Sequence, residues 1–341
     1  MAEDVGVAMV GLGMWGRRLA DAVERSQHLR LVTCFSRDED ARESFAEAHG
    51  CQPAASLEAA LNHTDVEGVL VVTPNTSHAE VVAQCARLGK HVFVEKPIAD
   101  SIPDGLAIVE ACERAGVGLM VGHCFRRLGA ARKVKQLLDQ GALGKVVLAE
   151  ANFSLPGTLT PDKWRYYRNT CPGGPLMQLG IHHADTLQYW LGPVATVRGS
   201  FARLVTSAEI DDVGTAILEF ASGPRAVLTS SYVSPKTYTL RLYGSEANLE
   251  YATDMSIWPQ AEKMDPATSL RLLRPDGVEE MDFVIKDMLV EEMDEFAACA
   301  SGAAQPETGG AEGLAAVGVI LAAIQSETQS RPVALEAITH A

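Results

Sequence analysis

The sequence predicts a chain of two parts, a doubly wound α/β domain followed by an α+β domain. Three observations carry this. The first 122 residues alternate short β-branched apolar runs with helical stretches, the pattern of a parallel sheet covered on both faces. After Gly122 the strands follow one another with only turn residues between them, which predicts an antiparallel sheet. The length of 341 residues also exceeds what one hydrophobic core organises. The domains are therefore expected at residues 1–122 and 123–341, with a late helix of the second packing back on the first.

Val5–Val10 opens the chain as an apolar strand, and Trp15–Arg25 follows as a helix. The next strand is Leu29–Phe35, then the charged helical stretch Asp38–His49. Val66–Val72 is a buried strand rich in valine, and Ser77–Leu88 a helix. His91–Val94, the helix Pro103–Ala115 and the strand Val117–Val121 complete the first part. In the second, a helix over Ala130–Gln140 leads into the strand Lys145–Phe153, a loop heavy in Pro and Gly, and a helix over Leu176–Leu191. Val194–Val205, Gly214–Phe220, Ala226–Val233, Thr237–Tyr243 and Ala247–Tyr251 read as a meander, with turns at Ser222-Gly223-Pro224 and Gly244-Ser245. Helices near Asp287–Ser301 and Ala311–Gln325 close the chain.

Charge narrows the function classes. Lys and Arg total 29 against 44 Asp and Glu, a formal charge of -15, which repels nucleic acid and anionic lipid. The seven cysteines are scattered and form no CxxC pair, so neither a zinc site nor a disulfide framework is expected. Glu3 and Asp4 stand where a secretory leader carries positive charge, and the apolar run Leu314–Ile324 is too short to span a bilayer. A cytoplasmic protein is the expectation.

Gly11-Leu-Gly13-Met14-Trp15-Gly16 is a GxGxxG placed directly after a strand and at the opening of a helix, the context in which it binds a dinucleotide pyrophosphate. Gly11 permits the tight turn, Gly13 lets backbone approach the phosphates, and Gly16 lets helix and strand pack closely. At the end of the second strand an NAD site usually carries an acid, about 20 residues past the glycines. Here Ser36-Arg37 stands instead, leaving room for a 2′-phosphate and a guanidinium to clamp it. Arg17 and Arg18 open the first helix nearby. This favours NADP over NAD, the alternative being that Asp38 takes the acidic role. Thr73-Pro74-Asn75 follows Val66–Val72, at the carboxyl edge of the sheet where ligands lie in open α/β folds.

Glu95-Lys96-Pro97 ends the strand His91–Val94. A lysine at that edge can desolvate and exchange a proton with a substrate oxygen, which hydride transfer to or from a carbonyl requires. Pro97 suggests a fixed, cis-compatible bend. Gln178, His182 and Asp185 fall four and three residues apart, on one face of a regular helix. His182 is read as functional and His183 as a buried structural histidine. Neighbouring histidines on a helix point about 100° apart, and no third ligand is evident, so no metal is expected.

Taken together, these residues resemble the Gfo/Idh/MocA family, named for glucose–fructose oxidoreductase, inositol dehydrogenase and a rhizopine-catabolism protein. The resemblance rests on GLGMWG, TPN with His78, EKP, VGHCFRR, GALGKV, WR before GGP, GxHHxD and YGSEANLE, in that order, and reaches the closing Arg331-Pro-Val. It implies a Rossmann domain that binds NAD(H) or NADP(H), and a C-terminal domain whose large open sheet mediates dimers or tetramers. It further implies oxidation or reduction of sugars, cyclitols and related alcohols without a metal. Lys96 is then the proton donor or acceptor, assisted by His182, while Arg126, Trp164, Arg165, Gln178 and Asp185 contact substrate. Gly11, Gly13, Met14, Trp15, Gly16, Ser36, Arg37, Thr73, Pro74, Asn75, His78, Glu95 and Lys96 surround the cofactor. One departure stands out: many members carry Asp four residues before the histidine, and this chain has Gln178, whose amide takes no proton at neutral pH. That feature supports an alternative, a dinucleotide-dependent sensor with the same fold, against which stand the retained Lys96 and His182.

Overall fold

The computed structural model describes residues 4–339. They form two compact units: the first runs to Cys124 and takes in Leu289–Leu314, and the second holds Phe125–Met288 and the chain from Ala315.

In the first unit strands and helices alternate as β1 (Val5–Val10), α1 (Met14–Arg25), β2 (Leu29–Phe35), α2 (Glu39–His49), β3 (Gln52–Pro53), α3 (Leu57–Leu61), β4 (Gly68–Val71), α4 (His78–Arg87), β5 (His91–Glu95), α5 (Ile102–Ala115) and β6 (Leu119–Gly122). The sheet order is β3-β2-β1-β4-β5-β6, with every neighbouring pair parallel. Central strands buried on both faces explain the unbroken apolar runs: Val7, Ala8, Met9, Val69, Leu70, Val71, Val92, Phe93 and Val94 are all fully buried. The order reverses between β1 and β4, so the crevice outside their carboxyl ends is where a ligand enters such a sheet. Sequence reasoning missed β3 and α3, both too short to show a period, and began the last strand two residues early.

The second unit contains α6 (Gly129–Asp139), β7 (Val146–Ser154), α7 (Ile181–Leu191), β8 (Val194–Ala202), β9 (Val213–Phe220), β10 (Arg225–Ser231), β11 (Thr237–Gly244), β12 (Asn248–Thr253), β13 (Thr268–Arg274) and β14 (Gly277–Glu280). Two later helices, α8 (Met288–Ala300) and α9 (Gly310–Gln329), precede β15 (Val333–Ala334). The nine-stranded sheet runs β14-β13-β12-β11-β7-β10-β9-β8-β15. The expected meander is therefore interrupted. β7 lies between β10 and β11, antiparallel to β11 but parallel to β10, a long-range insertion that local turn signals do not report. Alternation along the strands is clean: Ala216, Leu218, Ala226, Leu228, Tyr238, Leu240, Leu249 and Tyr251 point into the core. The other face carries a row of cross-strand partners, Glu150, Arg241, Glu250 and Arg271, in which both arginines pair with Glu250.

The segment Leu289–Leu314 belongs to the first unit because of its contacts there. Phe296 meets Phe93 edge-on at 6.0 Å, and Ser26 Oγ donates to Asp294 Oδ1 at 2.6 Å. Thr308 exchanges backbone and side-chain bonds with Val121, each of 2.7 Å, and so covers the β6 edge. Among the described residues no helix is long and apolar enough to cross a membrane.

Candidate active site

The dinucleotide half of the site is built by the glycine turn between β1 and α1. Gly11 has φ +103°, and a Cβ there would lie 2.4 Å from the Val72 carbonyl oxygen, so only glycine fits. A Cβ on Gly16 would lie 2.2 Å from the Gly11 carbonyl oxygen, the cost of packing α1 against the strand end. Gly13 caps α1, and nothing lies within 4 Å of where its side chain would be. That opening at the positive end of a helix fits a pyrophosphate. Met14 is exposed beside it, and Trp15 is half-buried.

After β2, Ser36 is half-buried and Arg37 exposed. Asp38 is exposed, and its Oδ1 accepts from Ala41 N at 3.1 Å and caps α2. Arg42 donates to the Ser36 carbonyl at 2.8 Å and fixes the turn. No ion pair occupies Arg37 among the described residues.

The Thr73-Pro74-Asn75 turn follows β4. Ser77 Oγ ties it down, donating to the Pro74 carbonyl at 2.8 Å and able to accept from Thr73 Oγ1, also 2.8 Å away. His78 is fully buried. Its ring nitrogens lie 3.0 Å from the Thr73 carbonyl on one side and 3.1 and 3.2 Å from those of Pro97 and Ile98 on the other. Burial lowers its pKa; a neutral ring has one N–H and donates to the carbonyl on one side only, and it fills the space between the two loops. It joins the turn after β4 to the loop after Lys96.

Lys96 follows the last residue of β5 and is half-buried; the Lys96–Pro97 peptide is cis. Glu95 is buried, accepts from the Trp15 indole N–H, and accepts from Lys96 N at 3.1 Å. Burial raises its pKa to about 7, with the Lys96 charge opposing the rise. The carboxylate thus links the glycine turn to the lysine loop.

The other group of predicted residues lies in the second unit. Arg126 and Asp185, both buried, form a bidentate ion pair, Nε to Oδ2 at 2.9 Å and Nη2 to Oδ1 at 2.5 Å. The guanidinium also lies 5.0 Å from the Tyr189 ring centre. Asp265 anchors the next turn, accepting from Gly129 N at 2.6 Å, Ala130 N at 3.2 Å and Lys286 N at 2.8 Å. The helix that carries His182 is not regular throughout. Leu176–Gly180 winds as a π-helix before α7 begins, so Gln178 lies outside the regular 3.6-residue turn on which the shared-face argument for Gln178, His182 and Asp185 was built. Gln178 and His182 are both buried, and His182 packs 4.3 Å from the Phe125 ring centre. His183 is buried against Tyr238 at 4.6 Å, and desolvation lowers its pKa to about 4.

Trp164 and Arg165 sit on a short turn, the guanidinium 4.2 Å from the indole centre. Bonds from Thr170 Oγ1 to the Trp164 carbonyl at 2.5 Å and from Tyr166 OH to the Ser207 carbonyl at 3.0 Å hold that turn. Both residues line a cavity of about 280 Å³ with Gly157, Thr158, Leu159, Lys163 and Tyr232, at the lower edge of ligand-pocket sizes. A wider groove lined by Arg132, Lys133, Gln136 and Lys286 contains none of the predicted residues.

Residues 5–123 match the oxidoreductase family model with an NAD-binding Rossmann fold, and residues 131–250 match the GFO/IDH/MocA C-terminal domain. A dTDP-3,4-didehydro-2,6-dideoxy-alpha-D-glucose 3-reductase from Streptomyces violaceoruber is 30% identical over 290 residues, covering 85% of this chain and 83% of the relative. The chain belongs to the GFO/IDH/MocA oxidoreductase family. An NADP-dependent D-xylose 1-dehydrogenase from Haloarcula marismortui is 28% identical over 338 residues, 95% of this chain and 91% of that one. A crystal structure from Desulfitobacterium hafniense, named for NADPH-dependent oxidoreduction, superposes with a TM-score of 0.96 at 39% identity, covering 99% and 100% of the two chains. This GFO/IDH/MocA oxidoreductase binds a nicotinamide dinucleotide through its Rossmann fold.

Within the family member described here, the structure brings Trp15 to Glu95, Arg126 to Asp185, and Arg165 to Trp164. Sequence reasoning missed Asp100, which accepts from Asn75 Nδ2 at 2.9 Å, and Lys163 and Tyr232 in the cavity wall. Asp100 lies just beyond the EKP tripeptide, but nothing in its spacing marks it.

Proposed function

We propose that this oxidoreductase is an NADP-preferring dehydrogenase or reductase of a sugar, cyclitol or related alcohol, with Lys96 exchanging the proton of the substrate oxygen and His182 assisting. The observation that supports the reading is Lys96 itself, which follows the last residue of β5 and whose positive charge acts on the buried carboxyl of Glu95. A bound nicotinamide would supply the hydride chemistry; the chain's own residues orient it and handle the proton. Gln178 gives no proton at neutral pH, so the relay in this reading runs through Lys96 and His182 alone. The Trp164–Arg165 cavity is where the sugar hydroxyls would bind. The NADP preference is supported by the engagement of Asp38 as a helix cap and by Ser36 and Arg37 standing where a 2′-phosphate would lie. Self-association through the open face of the nine-stranded sheet belongs to the same reading, and size-exclusion chromatography with light scattering tests it.

Lys96→Ala is the decisive variant. Turnover with NADPH or NADP and a panel of sugars and polyols should fall by about 10²–10⁴-fold, the range for a positioned acid–base group. NADPH binding, followed by fluorescence titration, should stay within about threefold of the parent, the cofactor contacts lying mainly in the glycine turn. Unchanged turnover would overturn the assignment of Lys96.

A further inference from the structure

The family reading leaves Asp100 without a role. It stands four residues past Lys96, in the loop between β5 and α5. One carboxylate oxygen accepts from Asn75 Nδ2 at 2.9 Å; the other, Oδ2, is buried with no hydrogen-bond partner among the described residues. Desolvation raises its pKa to about 6, the Asn75 donation opposing the rise and Asp104 adding to it. A buried oxygen that receives no donor works against stability.

The orientation of Asn75 follows from hydrogen-bond chemistry. An ionised carboxylate only accepts. The Asn75 amide must therefore turn its NH₂ toward Asp100 and its carbonyl Oδ1 away. Among the described residues nothing donates to that Oδ1. Asn75 begins the turn after β4, at the carboxyl edge of the sheet where the strand order reverses. The Asn75–Asp100 bond is also the second brace between this turn and the loop after Lys96, the first being His78 between Thr73 and Pro97–Ile98.

We propose that Asp100 is a positioning residue for the dinucleotide: it locks the Asn75 amide so that Oδ1 accepts from a donor on the nicotinamide half, either a ribose hydroxyl or the carboxamide. The inference rests on the reading of Asn75 as a cofactor contact, and the experiment separates the two.

The dissociation constant for NADPH is measured by fluorescence titration for the parent, Asn75→Ala, Asp100→Ala, Asp100→Asn and the double alanine variant. Each single alanine should weaken NADPH about tenfold, the worth of one well-placed hydrogen bond. The double variant should lose no more than either, because the two residues act as one unit. Asp100→Asn should keep affinity within about threefold, its amide oxygen still accepting from Asn75. Binding of 2′,5′-ADP, which lacks the nicotinamide half, should not change in any variant. With the 3-acetylpyridine dinucleotide, a persisting loss assigns the donor to the ribose, and a vanished loss assigns it to the carboxamide. Should Asp100→Ala not fold, Asp100→Leu fills the same space without an acceptor and carries the same expectation. If Asn75→Ala binds NADPH normally, the reading of Asn75 fails. If Asn75→Ala weakens binding while the Asp100 variants do not, or the two losses multiply, the positioning role of Asp100 is refuted.

Discussion

Asp185→Ala removes one partner of the buried Arg126–Asp185 pair and tests whether these residues are structural before anything else. The exposures are 5% for Arg126 and 2% for Asp185, so both charges are out of water and held by the bidentate contact between them. Removing the carboxylate takes from the guanidinium its bidentate partner in a low-dielectric setting. Breaking such a pair costs about 3–5 kcal/mol, against about 0–1 kcal/mol for an exposed one. The stacking of Arg126 on Tyr189 remains and places the expectation near about 3 kcal/mol. Urea unfolding followed by tryptophan fluorescence reads it, since Trp164, Trp190 and Trp258 all lie in the second unit and Trp190 shares α7 with Asp185. The midpoint should fall with little change in slope. Replacing both partners by Leu and Met should recover most of the loss, because the desolvation penalty goes with the charges. A loss below about 1 kcal/mol for Asp185→Ala, or a double variant no better than the single, would refute the structural role.

Two further outcomes follow from the same geometry. His183 has its pKa lowered to about 4 by burial, so the unfolded chain binds the proton more tightly and stability falls as pH drops from about 6.5 toward 4; His183→Phe should remove that acid-side loss in thermal melts between pH 4 and 7. Arg37→Ala should reduce the NADPH to NADH preference in kcat/KM by about tenfold or more, as expected for loss of one charge-assisted phosphate contact, and an unchanged ratio would return the 2′-phosphate to other residues.

Much of the first unit was legible in the sequence because its signals are local. A fully buried strand is an unbroken apolar run, and a dinucleotide turn is three glycines between a strand and a helix. Gly11 and Gly16 are dictated by atoms within 3 Å, the carbonyls of Val72 and of Gly11 itself, so their identity announces the turn. The second unit was less legible. Its strands showed their alternation, but the place of β7 between β10 and β11 depends on pairing across some eighty residues, which periodicity does not carry. The π-helical turn at Leu176–Gly180 likewise escaped an argument that assumed 3.6 residues per turn.

By itself, then, the chain's chemistry determined the glycine turn, the lysine at the end of β5, the acid missing after β2 and the two-part architecture. Only the tertiary structure decided which polar groups face one another. It spent Asp185 on Arg126, Asp38 on the α2 cap and His78 on bracing two loops, and it set Asp100 against Asn75. The physical reason is that a buried charge or amide is defined by its partner, and partners are chosen by the packing of distant segments, which no local pattern encodes.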